Sequence, residues 1–156
     1  CVKGATSLAE NWDSTHVNNY MYKAMEKALP DGKFKLGQFG RRFRIRALLW
    51  YQGESDAGVQ SRADNYESNL NALFSDIRTR VGLPNLPISI SKVSYDSSPP
   101  TYLSTVRDAL QNVADGDSNI VISDSQSYSK RDAVHLDADG MFLFGKKMFE
   151  VLDTIL

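Results

Sequence analysis

Cysteine and histidine are scarce in this chain, and long apolar runs are absent. Cys1 is the only cysteine, so no internal disulfide can form. The two histidines, His16 and His135, lie far apart without a His-x-x-Glu pattern, so the sequence predicts no metal site. No stretch approaches the roughly 18 apolar residues of a membrane span. These absences exclude a disulfide scaffold, and we expect no metal, no other cofactor and no membrane partner.

Strong charge of either sign is also lacking. The formal net charge is −1 and the pI is about 6.1, so a nucleic-acid partner is not expected. The basic run at residues 41–46, Arg-Arg-Phe-Arg-Ile-Arg, is the local exception. Its alternation of charged and apolar residues predicts the solvent-facing start of a strand in preference to a polyanion site.

The composition is that of an ordinary globular protein. The chain has 156 residues and a mass of 17.4 kDa, with 42% hydrophobic and 24% charged residues. This size suits one domain whose core is large enough to fold without disulfides or metal ions, so we expect residues 1–156 to form a single domain.

Helical and strand patterns alternate along the chain. Apolar residues at three- and four-residue spacing predict helices at 16–29, 61–81, 103–114 and 140–156, and the Pro-Asp-Gly at 30–32 is expected to end the first. Short apolar runs predict strands at 43–51, 87–93 and 119–123, and the chain opens in what resembles the middle of another strand. This order predicts an α/β fold with a mostly parallel sheet and helices on both faces.

The first polar cluster, Gln52-Gly53-Glu54, ends an apolar strand. Ligands of open α/β sheets bind beyond the carboxyl ends of the strands. The Gln52 amide could donate a hydrogen bond to a developing oxyanion, Gly53 permits a sharp turn, and Glu54 could anchor that turn through backbone N–H groups. The alternative interpretation is a simple strand-to-helix turn with a polar cap.

The second cluster is Asp132-Ala133-Val134-His135. A carboxylate three residues before a histidine can accept the Nδ1–H of the ring and support the imidazolium that forms when the ring acts as a base. The spacing alone is common in loops, but this pair follows the last strand, at the sheet edge where ligands collect. His16, at a predicted helix start, is interpreted as a surface or capping residue.

The third element is the turn Gly4-Ala5-Thr6-Ser7-Leu8, with Trp12 just downstream. Free backbone N–H groups in such a turn suit an oxyanion or another anion. The alternative is an ordinary strand-to-helix turn with a core tryptophan.

These three elements, in this order, resemble the SGNH-type carbohydrate esterases, in particular sialate O-acetylesterases and acetylxylan esterases of carbohydrate esterase family six. Residues 50–56, Trp-Tyr-Gln-Gly-Glu-Ser-Asp, match that family residue for residue, and 4–8 and 132–140 give supporting matches. The resemblance implies a three-layer α/β/α sandwich of flavodoxin-like type. It also implies His135 as general base and Asp132 as its orienting partner, with Gln52 and the Gly4 N–H holding the oxyanion.

One catalytic part of that family is expected to be missing. The family nucleophile is a serine in a Gly-Gln-Ser-Asn turn after the first strand, and no such turn occurs in this chain. We therefore expect the C-terminal portion of an O-acetylesterase for acetylated carbohydrate, with its first strand and its serine on an upstream segment. A complementary N-terminal segment or a homo-oligomer is the expected partner, because a sheet without that strand exposes an apolar edge.

Two alternatives remain open. A relocated nucleophile would have to be a serine within reach of His135, and the candidates are Ser7, Ser55, Ser123 and Ser125. A non-catalytic carbohydrate-binding or structural remnant would use aromatic rings to stack on sugars, with candidates Trp12, Trp50, Tyr51 and Tyr95. The sequence leaves the compartment open and favours an extracellular, cell-surface or phage-particle setting.

Overall fold

The fold is built on a three-stranded parallel sheet. The structure is a computed structural model that describes residues 6–156. Its strands, in the spatial order β1-β2-β3, are β1 (Leu48–Trp50), β2 (Ile88–Lys92) and β3 (Ile120–Asp124). Its α-helices are α1 (Tyr20–Gln38), α2 (Gln60–Asp64), α3 (Tyr66–Val81), α4 (Leu103–Asp115) and α5 (Ala138–Leu152). Short helical turns occupy Leu8–Trp12, Asp56–Gly58 and Asp153–Ile155.

Helices cover both faces of the central strand, as the sequence predicted. Ile88 and Ile90 of β2 are fully buried in a core shared with α3 and α4. Ser89, which points to the opposite face, donates a hydrogen bond of 3.1 Å from Oγ to the Met148 carbonyl of α5. Successive side chains of a strand point to opposite faces, so a strand covered on both sides must be almost wholly buried. The predicted α/β class with a parallel sheet is confirmed.

The predicted bounds of the first helix were wrong at both ends. α1 begins at Tyr20, after turns at residues 13–19, and it continues through Pro30 to Gln38. Proline removes one helical hydrogen bond, but good helix formers such as Lys33 and Leu36 follow it and carry the helix onward. The helix ends where Gly40 adopts a left-handed φ of 66°.

Two further elements differ from their predictions. The strand expected at 43–51 is confined to Leu48–Trp50, because β1 pairs with β2 only from the register Leu48 opposite Ile88 to Trp50 opposite Ile90. The helix expected at 61–81 is divided at Asn65 into α2 and α3. Its predicted end is confirmed, since Gly82 has a left-handed φ of 68°. No helix among residues 6–156 combines the length and apolar character needed to cross a membrane.

Candidate active site

The carboxyl ends of the strands bring two of the predicted clusters together. Glu54 follows β1 and His135 lies in the loop after β3, yet the two side chains are close enough to interact electrostatically. Tyr51 links the same two regions, because its hydroxyl donates to Ser125 Oγ over 3.1 Å. The two clusters therefore lie at the same edge of the sheet, beyond the carboxyl ends of the strands.

The His135 ring is held by Asp132. Nδ1 of His135 lies 3.0 and 2.9 Å from the two carboxylate oxygens of Asp132. Asp132 Oδ1 also accepts the backbone N–H groups of His135 (2.8 Å) and Val134 (3.0 Å). These backbone bonds and the ring contact hold the pKa of Asp132 well below its usual range. The carboxylate therefore stays ionised and selects the ring tautomer with its proton on Nδ1.

The other ring nitrogen is available for chemistry. The His135 side chain is 61% exposed, and within residues 6–156 no hydrogen bond reaches its Nε2. A neutral imidazole with its proton on Nδ1 carries a lone pair on Nε2. This nitrogen can therefore take a proton from a group brought to the open face of the loop.

A lysine that sequence reasoning missed supports the His135 loop. The Lys130 side chain is only 1% exposed, and Nζ donates to Asp96 Oδ1 at 2.8 Å and to the carbonyls of Gln126 and Tyr128 at 3.4 Å. The Asp96 backbone N–H in turn donates to the Ala133 carbonyl at 2.9 Å. These bonds join the loop after β2 to the loop that carries His135. No local pattern signals the bond to Asp96, because 34 positions of the sequence separate it from Lys130.

The junction of this loop with α5 requires a glycine. Asp137 caps the helix, and its Oδ1 accepts the Gly140 N–H at 2.7 Å and the Ser129 hydroxyl at 2.7 Å. A Cβ at Gly140 would lie 2.1 Å from the Ser129 carbonyl oxygen. The glycine after the histidine motif thus has a packing reason, since only a residue without a side chain allows this approach.

Gln52 lies at the centre of a buried network. Its Nε2 donates to the Thr6 carbonyl (2.9 Å) and to Asp56 Oδ2 (2.7 Å), and its Oε1 lies 3.1 Å from the Tyr66 hydroxyl. Both amide hydrogens therefore have acceptors inside the protein. A direct bond from this amide to an oxyanion, as the sequence predicted, requires the release of one of these two acceptors.

Asp56 is a second residue whose part the sequence did not reveal. It is fully buried and accepts the backbone N–H groups of Leu8 at 2.8 Å and Ala9 at 3.2 Å, as well as the Gln52 amide. Burial raises its pKa, although these hydrogen bonds act in the opposite direction. Asp56 thereby fastens the N-terminal turn to the end of β1. It stood within the 50–56 motif, but only its distant partners show its role.

The turn between these residues depends on Gly53. Its φ is 151°, and a Cβ there would lie 2.8 Å from Val106 Cγ1 and 3.5 Å from the Tyr66 hydroxyl. Glu54 accepts the Gly53 N–H at 3.0 Å, which is the anchoring contact expected for this carboxylate. Burial raises the pKa of Glu54, while backbone hydrogen bonds and the nearby His135 lower it.

The N-terminal turn is described only in part. Gly4 and Ala5, and with them the predicted Gly4 N–H donor, lie outside the described residues. Thr6 and Ser7 are buried, and Ser7 Oγ has no hydrogen-bond partner in the described part of the chain. Trp12 packs edge-on against Trp50 at 5.2 Å, and its Nε1 donates to Thr6 Oγ1. Trp50 is buried and not available to stack on a sugar.

The four candidate serines do not reach the base. Ser123 Oγ donates to the Ile90 carbonyl at 3.4 Å, and Ser125 Oγ to the Lys92 carbonyl at 2.9 Å. Across residues 6–156, neither these two nor Ser7 or Ser55 forms a hydrogen bond with the His135 ring. A nucleophile paired with His135 is therefore not found among the described serines.

Two other features lie away from this site. His16 accepts the Asn18 N–H at its Nδ1 in the turn before α1, so it makes a contact within that turn and does not cap the helix. The residues described contain no group of three or more His, Cys, Asp or Glu side chains that could hold a metal ion.

The family of the chain follows from its sequence. A profile of the family described as carbohydrate esterase, sialic acid-specific acetylesterase, matches residues 1–154. The chain belongs to this family. A protein of Arabidopsis thaliana described as a probable carbohydrate esterase is 30% identical to it over 146 residues, which cover 93% of the chain and 50% of the relative.

Solved structures of carbohydrate esterases share the fold. A crystal structure of the Arabidopsis thaliana protein matches with a TM-score of 0.80 at 26% identity, over 99% of this chain and 59% of that one. A carbohydrate acetylesterase from Xanthomonas citri matches with a TM-score of 0.55 at 15% identity, over 70% of this chain and 25% of that one. A carbohydrate esterase family 3 protein from Talaromyces cellulolyticus also has a TM-score of 0.55, at 16% identity, over 71% of this chain and 60% of that one. At these two identities the likeness shows the fold alone. The chain spans about half the length of the Arabidopsis relative.

Proposed function

We propose that these residues supply the base of a carbohydrate O-acetylesterase. The observation that carries the proposal is the His135–Asp132 pair, in which a fixed carboxylate orients the ring and leaves Nε2 open. Membership of a family described as sialic acid-specific makes O-acetylated sialic acid the first substrate to test. The resemblance of the sequence motifs to acetylxylan esterases makes acetylated xylan the second.

In the proposed reaction, a serine hydroxyl attacks the acetyl carbonyl while His135 Nε2 takes its proton. Asp132 holds the Nδ1–H and stabilises the imidazolium that forms. The imidazolium then gives its proton to the departing sugar oxygen, leaving an acetyl-enzyme. Water, deprotonated by the same Nε2, releases acetate and restores the serine.

We place the nucleophilic serine outside residues 1–156. This is supported by the lack of a hydrogen bond between His135 and the candidate serines of the described region, and by the greater length of the Arabidopsis relative. The oxyanion would be held at the turn that contains Gly4. We assign Gln52 the task of holding that turn through the Thr6 carbonyl, with direct donation possible after this bond is released.

A non-catalytic carbohydrate-binding domain is the competing function. It is favoured by the absence, within 6–156, of a serine bonded to His135. Its expected stacking surface is reduced, however, because Trp50 is buried and the Tyr51 ring packs against Phe144, with ring centroids 4.8 Å apart. Tyr95 remains partly exposed beside Glu54.

The test combines covalent labelling with acetate release. The 156-residue chain and the complete translation product of its gene are each treated with a fluorophosphonate probe, and labelled peptides are identified by mass spectrometry. We expect label only in the complete product, on a serine outside these residues. Label on Ser7, Ser55, Ser123 or Ser125 would refute the placement of the nucleophile.

The base is tested in whichever form releases acetate. His135→Ala should lower turnover by several orders of magnitude, and Asp132→Asn nearly as much, because the ring would be held in the wrong tautomer. Asp139→Asn, an exposed carboxylate of α5, is the matched control and should keep full turnover. If no form releases acetate from either substrate while the chain still binds sugar, the competing function is correct.

A further inference from the structure

Positive charge is concentrated in one short segment. Residues 33–46 contain six of the 18 lysines and arginines of the chain and no aspartate or glutamate. Since the whole chain has a net charge of −1, the remaining residues carry −7 (−1 − 6 = −7). All six cations are exposed, and no ion pair within 4.0 Å reaches any of them in the described part of the chain: Lys33, Lys35, Arg41, Arg42, Arg44 and Arg46.

The same segment exposes large apolar side chains. Phe34 is 67% exposed and Phe39 is 79% exposed, at the end of α1. Gly40, with its left-handed φ, turns the chain there, and the Arg41 N–H closes the turn on the Leu36 carbonyl at 2.9 Å. The two rings are therefore presented on a hydrogen-bonded helix end.

Residues 41–46, which follow α1, lie along the surface of the main core. Phe43 and Ile45 are half-buried, and Ile45 packs against the main core, while the arginines around them are exposed. The alternation predicted a strand start, but the structure gives residues 41–47 no strand pairing. The arginines are thus not explained by a sheet. We call residues 33–46, with their six cations and the two exposed rings, the basic tip.

We propose that the basic tip docks on a lipid surface that carries anionic headgroups. Lysine and arginine contact headgroup phosphates and carboxylates, and aromatic rings beside them enter the apolar boundary below. An acidic polysaccharide or a nucleic-acid duplex would satisfy the cations and leave Phe34 and Phe39 in water. A lipid surface accommodates both.

The charge distribution sets the orientation of this docking. The −7 carried by the rest of the chain is repelled by an anionic surface, so the tip faces it. The tip leads into the amino end of β1, whereas His135 lies at the carboxyl ends of the strands. Docking therefore leaves His135 open to solvent. The expectation of no membrane partner rested on the lack of a spanning segment, which does not bear on peripheral binding.

The experiment is co-sedimentation with vesicles of phosphatidylcholine, with and without phosphatidylserine. Each cation close to an anionic surface changes the partition constant about fivefold, so Arg41→Gln with Arg42→Gln should weaken binding about 25-fold. Lys146→Gln with Lys147→Gln removes two adjacent exposed cations of α5 and should change little. Added salt should weaken vesicle binding by both of these double variants.

The rings are tested separately from the charges. Phe34→Ser with Phe39→Ser should weaken binding at least about a hundredfold, since burial of each ring is worth more than a factor of ten. Phe142→Ser, an equally exposed phenylalanine on α5, is the control. Phe39→Trp should show a blue shift of tryptophan emission with anionic vesicles and none with neutral ones.

Three outcomes would overturn the proposal. One is equal or absent binding to the two kinds of vesicle. Another is vesicle binding that depends on Arg41 and Arg42 but not on the rings, together with tighter binding of the tip to heparin or RNA than to vesicles. That result would assign the tip to a polyanion. The third is an unshifted emission from the Phe39→Trp variant.

Discussion

Replacement of Asp56 should remove the hydrogen bonds that hold the N-terminal turn against the end of β1. Its carboxylate accepts three hydrogen bonds, from Leu8, Ala9 and Gln52, and it is fully buried. Asp56→Ala leaves all three donors without their acceptor. Ala9 is partly exposed, so water can take over there, but the Leu8 N–H and one Gln52 hydrogen are buried.

The expected loss follows from these two buried donors. Each unsatisfied buried donor costs about 1–3 kcal/mol, which gives about 2–6 kcal/mol for the pair. Burial also penalises the carboxylate itself, so its removal recovers part of that cost. We expect Asp56→Ala to lower the free energy of unfolding by about 3 kcal/mol, a large part of the 5–15 kcal/mol typical of a domain.

Urea denaturation followed by circular dichroism measures this loss. Asp56→Asn keeps the shape and one acceptor oxygen and should cost about half as much. Ser55→Ala, a half-buried neighbour, is the control and should stay within about 0.5 kcal/mol of the parent. A loss below about 1 kcal/mol for Asp56→Ala would show that this carboxylate does not hold the turn.

The pH dependence of stability gives an independent check. Because the pKa of Asp56 is raised on folding, the folded protein binds this proton more tightly than the unfolded chain does. Its contribution to stability therefore falls as the pH rises from the ordinary aspartate pKa of about 4 through the higher folded value. Asp56→Ala should remove that component of the slope, and an unchanged slope would contradict the raised pKa.

Other contacts give three further predictions. Gly53→Ala should cost about 2–4 kcal/mol, from its φ of 151° and the 2.8 Å approach to Val106, and Val106→Ala should restore only the steric part, as measured by urea denaturation. Lys130→Met removes the bond between the enclosed lysine side chain and Asp96 and should speed amide exchange across residues 126–136; unchanged exchange would show that the lysine is dispensable. Backbone hydrogen bonds lower the pKa of Asp132, so its contribution to stability is complete above pH of about 4 and is lost as the pH falls through the folded value. An ordinary midpoint in a ¹³C NMR titration would exclude those bonds.

Local sequence patterns predicted correctly the elements whose bounds do not depend on distant segments of the chain. The alternating and three-to-four spacings placed β2, β3 and α4 within a residue or two of their observed bounds, since apolar periodicity and burial agree there. The end of α3 at Gly82 followed from a single residue that adopts a left-handed φ readily. Pro30 misled the prediction for α1, because the cost of one lost hydrogen bond did not outweigh the helical residues that follow.

The site was predictable where it depended on strand ends. Parallel strands direct their carboxyl ends to one edge of the sheet, so Glu54 and His135 could be expected near each other from the sequence alone. The roles assigned to His135, Asp132 and Gln52 remain predictions until activity is measured. The short contact between Asp132 and His135 needed no tertiary information, because only two residues of one loop separate them.

The sequence by itself determined the α/β class, the order of the main elements and the local pairing of Asp132 with His135, because each depends on residues close together in the chain. Only the tertiary structure decided the length of β1, the burial of Lys130, the enclosure of the Gln52 amide and the fastening of Asp56 to Leu8. Each of these depends on partners outside the local segment, 48 residues away for Leu8 and Asp56. Burial and hydrogen-bond partners of a side chain are set by such distant segments, and no local spacing encodes them.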